Sequence, residues 1–169
     1  MALEALVSAF VCFAPQIAAA EEKVACEQFD WSVKRELALF REPDLETIFS
    51  GATLPGLPVK GVAVELQPHV TVDFALPPGR EPKTPESLAG IFFISNVPQG
   101  GLYQVTVSGE AWIDVIQNGK ALDSPAHTGK HDCAAVRKSV RFNLEPGPLT
   151  VQVSSTSATP IRLAILPAE

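Results

Sequence analysis

"GLYQVTVSGEAWIDVIQNGKAL", residues 101–122, decides the fold class. In "EAWIDVIQ" one set of alternate residues is Ala111, Ile113, Val115 and Gln117, and the other is Glu110, Trp112, Asp114 and Ile116. A period of two sends successive side chains to opposite faces of an extended chain, so the first set reads as a core face and the second as an outer face. "LYQVTVS" before it reads as a second strand. Asn118-Gly119 after it is a hairpin signal, because both central positions of the tightest hairpin turn need positive φ.

The same grammar extends in both directions. "GVAVELQ" and "HVTVDFAL" read as two strands around the Gln67-Pro68 step, and "PPGREPKTPESLAG" as a proline-rich surface loop. "IFFISNV", "KALDS", "SVRFNLE", "LTVQVSS" and "IRLAIL" follow, separated by turns such as "PQGG" and "PGP". Many short strands with Gly, Pro and Asn turns predict an all-β, antiparallel jelly-roll-like sandwich. Ahead of it, "FDWSVKRELALF" spaces Val33, Leu37 and Phe40 as a helix does, with Asp30 as N-cap and "REP" as the stop. "DLETIFSG" predicts one further helical turn, capped by Asp44 and ended by Gly51. The expected organisation is a helical segment over 21–58 packed on a sandwich over 59–169.

Residues 1–20 have an apolar run from Leu6 to Ile17, Pro15, and the small residues Ala18 and Ala20 before "EEK". That layout predicts a cleavable signal peptide, although no Lys or Arg precedes the run. The run is shorter than the roughly 20 apolar residues a bilayer span needs. Cleavage removes Cys12 and leaves Cys26 and Cys133, an even pair that predicts one disulfide in a periplasmic or secreted protein. The leader holds Glu4 and no base, so the formal charge of −6 becomes one unit less negative after cleavage. An acidic chain with no basic run speaks against nucleic acid as a partner, and no membrane span is expected after cleavage.

The order of pieces over roughly 100–166 resembles the jelly-roll carbohydrate-binding modules and the protective-antigen-type sugar-binding domains. Those families run a Gly-x-Tyr strand into a strand with a V-x-x-N-G hairpin, and later use an L-x-x-G turn. The matching positions are Gly101, Tyr103, Trp112, Asn118, Gly119, Leu144 and Gly147. The resemblance implies a sandwich with a sugar-type ligand. The paired aspartates that hold calcium in many of those domains have no counterpart here, and no cofactor is expected. From "CEQFDWSVKREL" to "GKHDCAAVRKSVRF" the chain is also similar to small exported bacterial proteins of uncharacterised function, some labelled homogentisate 1,2-dioxygenase. Such dioxygenases resemble cupins, whose iron is held by two histidines and a glutamate, usually with an H-x-H pair. This chain has His69, His127 and His131 and no H-x-H, so the residues do not support that label.

Three kinds of site remain to be weighed. "AHTGKHDC", residues 126–133, reads as a loop anchored by Cys133; a metal-dependent enzyme on His69, His127 and His131 is the competing reading. Glu110 and Asp114 share a face, but residues four apart on a strand are about 13 Å apart, too far for a glycosidase pair. No G-x-S-x-G elbow and no phosphate-binding glycine loop is present. Trp112 and Tyr103, on neighbouring predicted strands, are the candidate platform for a sugar ring, with Asp114 as a hydrogen-bonding partner. The competing placement for Trp112 is beneath the N-terminal helix. The expectation is an exported non-catalytic binding or envelope-accessory domain whose partner is a glycan or an envelope protein, with a structural subunit of an envelope complex as the alternative.

Overall fold

The computed structural model describes residues 25–169. The expected leader, 1–20, lies outside the described residues. Helix α1 (Lys34–Phe40) is followed by β1 (Glu46–Phe49), β2 (Thr53–Leu54), β3 (Val62–Glu65), β4 (Gln67–Pro68) and a 3-10 turn at His69–Thr71. Then come β5 (Leu88–Val97), β6 (Gly101–Val107), β7 (Trp112–Gln117), β8 (Lys120–Ala121) and β9 (Ala126–Gly129). The last three strands are β10 (Lys138–Leu144), β11 (Gly147–Thr156) and β12 (Ile161–Pro167).

Two sheets form a sandwich, one ordered β1-β3-β12-β6-β10-β9 and the other β2-β5-β11-β7-β8. Within them β3-β12-β6-β10 and β5-β11-β7-β8 are antiparallel throughout, which is the strand path of a jelly roll. The two sheets are nevertheless mixed, because β1 runs parallel to β3 and β2 parallel to β5. Between the sheets lie Val64, Phe92, Val105, Val115, Val151 and Leu163, all essentially without solvent contact. The hairpin at Asn118-Gly119 has φ of 52° and 72°, as that turn requires.

Four local expectations change. "DLETIFSG" is not helical: Glu46–Phe49 is a strand with Ile48 in the inter-sheet core. Thr47, Ile48 and Phe49 suit a pleated surface, and the exposed edge of β3 supplies the partner. The sandwich therefore begins before residue 59. "HVTVDFAL" is not a strand either, because β5 already pairs with β11 on one side and with β2 and β4 on the other. "AHTG" is strand β9 rather than loop, paired with β10. Finally, the N-cap position of α1 is Val33, with no side-chain cap, and the Asp30 backbone N–H instead donates to Thr128 Oγ1 at 3.2 Å.

Each sheet's outer face is covered by an irregular or helical segment. On the β12-β6-β10 side, α1 lays Val33 and Phe40 over Ala164. Glu36, fully buried, accepts a 2.6 Å hydrogen bond from Gln104 Nε2, and Trp31 Nε1 donates to Ser139. On the β5-β11-β7 side, the segment 72–81 crosses the sheet. Gln152 accepts from the N–H groups of Ala75 and Leu76 and donates to the Leu76 carbonyl. Ser155, at φ 54° in the β11 bulge, donates to the Glu81 carbonyl.

Candidate functional site

The expected alternation along β7 is present, with Ala111, Ile113 and Val115 in the core and Trp112 and Asp114 facing outward and partly exposed. Helix α1 does not cover Trp112, since it lies on the other sheet. The cover is the proline-rich loop, which brings Gly79 over the Trp112–Asp114 pair. Asp114 Oδ1 accepts the indole N–H at 2.8 Å, and both carboxylate oxygens accept the Gly79 N–H at 3.3 and 3.2 Å. A Cβ at Gly79 would meet Asp114 Oδ1 at 2.9 Å and Trp112 Nε1 at 3.0 Å, so a side chain there would push the loop away.

Tyr103 is not part of this surface. It belongs to β6 in the opposite sheet, where its ring is buried in the core and its hydroxyl donates to the Gln99 carbonyl at 2.8 Å. Neighbours in sequence are not neighbours in a jelly roll, whose chain crosses between sheets from β6 to β7. The platform of Trp112 with Tyr103 is replaced by one of Trp112 with cations. Lys138, at the start of β10, reaches across the sandwich to place Nζ 5.0 Å from the indole centroid. Arg80, from the covering loop, brings its guanidinium carbon to 5.8 Å from the same centroid. Arg137 is next to Lys138 in sequence and approaches Glu110 at 3.7 Å, and Glu110 is also paired with Lys83.

Below Trp112 the sheets part along the edge where β8 leads into β9. The opening is a cavity of about 390 Å³, lined by Trp112, Asp114, Ser124, His127, Lys138 and Phe142 among others. A second cavity of about 350 Å³ adjoins it and shares Trp112, His127 and Lys138, adding Arg80 and Arg137. Volumes of this order fall in the range of small-molecule sites, roughly 300–1,000 Å³. The lining is mixed: Leu122, Val140 and Phe142 are apolar, and Lys138, at the alternate position next to Val140 on β10, and Arg80 carry charge.

The electrostatics are uneven. Burial, and then the guanidiniums of Arg80 and Arg137, push the Lys138 ammonium below the usual lysine range, against the weaker pull of Asp114 and Glu110. Glu110 is held below the usual carboxylate range by the hydrogen bond from Lys83 and by that lysine's charge. Among the described residues, Lys83 and Arg137 have a carboxylate within ion-pair distance, whereas Arg80 and Lys138 have none.

The histidines do not converge. His69 follows β4 and stands 5.0 Å from the Phe74 ring, on the β5 side of its sheet. His127 lies across the molecule on β9, exposed at the cavity, and His131 meets the Arg137 guanidinium at 2.9 Å. Among the described residues, no group of three or more His, Cys, Asp and Glu side chains is arranged to hold a metal ion. Cys26 and Cys133 are joined, with Sγ atoms 2.06 Å apart, as the even count predicted.

The sequence reading missed Arg80, Lys138 and the role of Gly79. "RKS" at 137–139 and "GR" at 79–80 show basic residues at strand and loop ends, but only the sheet order brings them to one indole. Among the described residues, no helix is long and apolar enough to cross a membrane. Comparison of the chain with protein-family models, with curated proteins and with solved structures gives no significant match.

Proposed function

We propose that the chain is an exported, non-catalytic binding domain of the periplasm or cell surface that takes a carbohydrate or another polar envelope component at the cavity beside Trp112. The observation that carries this reading is the partly exposed indole, fixed by Asp114 and flanked by Lys138 and Arg80 at the mouth of a cavity of ligand size. Aromatic rings with one wet edge and nearby polar groups suit sugars, whose C–H faces stack and whose hydroxyls bond. Export is supported by the disulfide, since such bonds persist in oxidising compartments. A binding role fits better than catalysis because Glu110 is occupied by Lys83 and Asp114 by the Gly79 and Trp112 N–H groups, which leaves Asp123 at the cavity without a second free carboxylate for paired acid–base work.

Glycan-array retention by the purified, disulfide-bonded protein is the test. Trp112→Ala is expected to abolish retention, and Trp112→Phe, which keeps a ring but drops the indole N–H, to weaken it. Unfolding monitored in parallel separates lost binding from lost fold. Retention unchanged in Trp112→Ala would overturn the assignment of this cavity. Retention of no glycan, with stoichiometric co-purification of an envelope protein, would favour a structural subunit instead.

A further inference from the structure

The geometry points to a carboxylate-bearing sugar, a uronic acid residue, as the ligand of this cavity, with its carboxylate between Lys138 and Arg80. The inference rests on the binding reading above and adds the ligand's charge. Three observations carry it. First, Arg80 and Lys138 approach one indole from two different elements, the covering loop and β10, at 5.8 and 5.0 Å, and among the described residues neither has a carboxylate partner. Second, of the carboxylates around these cations, Asp114 already accepts the Gly79 and Trp112 N–H groups, Glu110 is paired with Lys83, and Asp123, which also lines the cavity, makes no ion pair with either cation among the described residues. Third, Lys138 is partly buried, and its ammonium makes only a long 3.4 Å contact with the Ala111 carbonyl.

A partly buried Lys138 and a neighbouring Arg80, neither with a carboxylate within ion-pair distance, repel each other in the free protein. A bound anion removes that cost and gains charge-assisted hydrogen bonds. The rest of the cavity narrows the choice of anion. Asp114 lies in it and Glu110 on its rim, so a singly charged carboxylate fits better than a phosphate dianion. The acidic chain as a whole, at a formal −6, opposes a long polyanion such as nucleic acid. Leu122, Val140 and Phe142 offer apolar lining for the C–H face of a pyranose, while Asp123, Ser124 and His127 face its hydroxyls.

Calorimetry with trigalacturonate and trimannuronate, each beside its fully methyl-esterified form, tests the charge directly. The ester keeps the ring and hydroxyls and removes the anion. The acid form of at least one sugar is expected to bind about tenfold or more tighter than its ester, the ratio typical of one charge-assisted contact. Lys138→Met and Arg80→Gln should each erase most of that ratio, and Lys138→Arg should retain it. Arg80 is exposed, so its variant reports on binding even where Lys138→Met disturbs the fold.

Acid and ester bound equally, or ratios unchanged in both variants, would overturn the anionic inference and leave the binding reading in place. Neutral glycans bound while both uronates are refused would do the same. Acetate alone competing at the uronate's own concentration would show a bare anion site and overturn the sugar assignment. Refusal of uronates and of every arrayed glycan would overturn both readings.

Discussion

Lys138 is the residue at which the fold and the site are in tension. It is drawn out of water beside Arg80 and Arg137, and these effects lower its affinity for a proton below the ordinary value of 10.5. Below the lowered native value the folded and unfolded chains both hold the proton, and the native state bears the full cost of the buried charge. As pH rises through the lowered native value, the folded lysine releases its proton while the unfolded one keeps it. Native stability then grows until the unfolded lysine also titrates. Urea unfolding of the wild type and Lys138→Met from pH 7 to 10.5 isolates this term, and the wild type is expected to gain on the variant as pH increases. A difference that stays flat would mean that the ammonium is solvated in the free protein. Trp112 and Asp114 were legible as outward-facing residues because alternation along one strand is a local property. Their partners were not, because Lys138 and Arg80 reach the indole only through the pairing of sheets and the path of a loop.

Among the elements, strands whose pattern meets an available sheet partner appear as expected, and two misread segments share a physical cause. "IFFISNV", "SVRFNLE" and "IRLAIL" carry their own pattern and appear as β5, β10 and β12. In "DLETIFSG" and "HVTVDFAL" the local pattern is overridden by what the sheets have left to offer: a free edge on β3 makes a strand of the first, and a β5 already paired on both sides leaves the second without a partner despite its alternation. The second segment instead becomes a cover for the outer face, with Gln152 substituting for a strand partner. Its side-chain amide satisfies two N–H groups and one carbonyl of residues 75 and 76, from a position with no solvent exposure. Gln152→Ala strands those groups, at a cost of about 1–3 kcal/mol. Hydrogen exchange should show the amides of 72–81 losing protection while those of β5 and β11 keep it. Equal loss in the strands would mean that Gln152 holds the sheet rather than the loop.

At the scale of the whole molecule, the jelly-roll path places the first described residues and the β9–β10 link on the same outer face. The second hydrophobic cluster there is small: Phe29, Val33, Phe40, Val136 and Ala164 around the Cys26–Cys133 bond. A seven-residue helix contributes little stability of its own, so this layer depends on tertiary anchors. The disulfide is the strongest of them, because it closes a separation of 107 residues and so removes much of the unfolded chain's freedom. Replacing both cysteines with serine is expected to lower unfolding free energy by about 3–5 kcal/mol, the upper end following from loop length and the lower end allowing for structure left in the unfolded chain. The inter-sheet core does not touch the bond, so the variant should still fold at low temperature, with a lower urea midpoint and early exposure of Trp31. Trp112, on the opposite sheet, should report the later transition of the sandwich itself, and its cavity should still bind ligand below that transition. Loss of both tryptophan signals in one step would instead show that the helix layer and the sandwich unfold as a single unit, with the disulfide holding the whole.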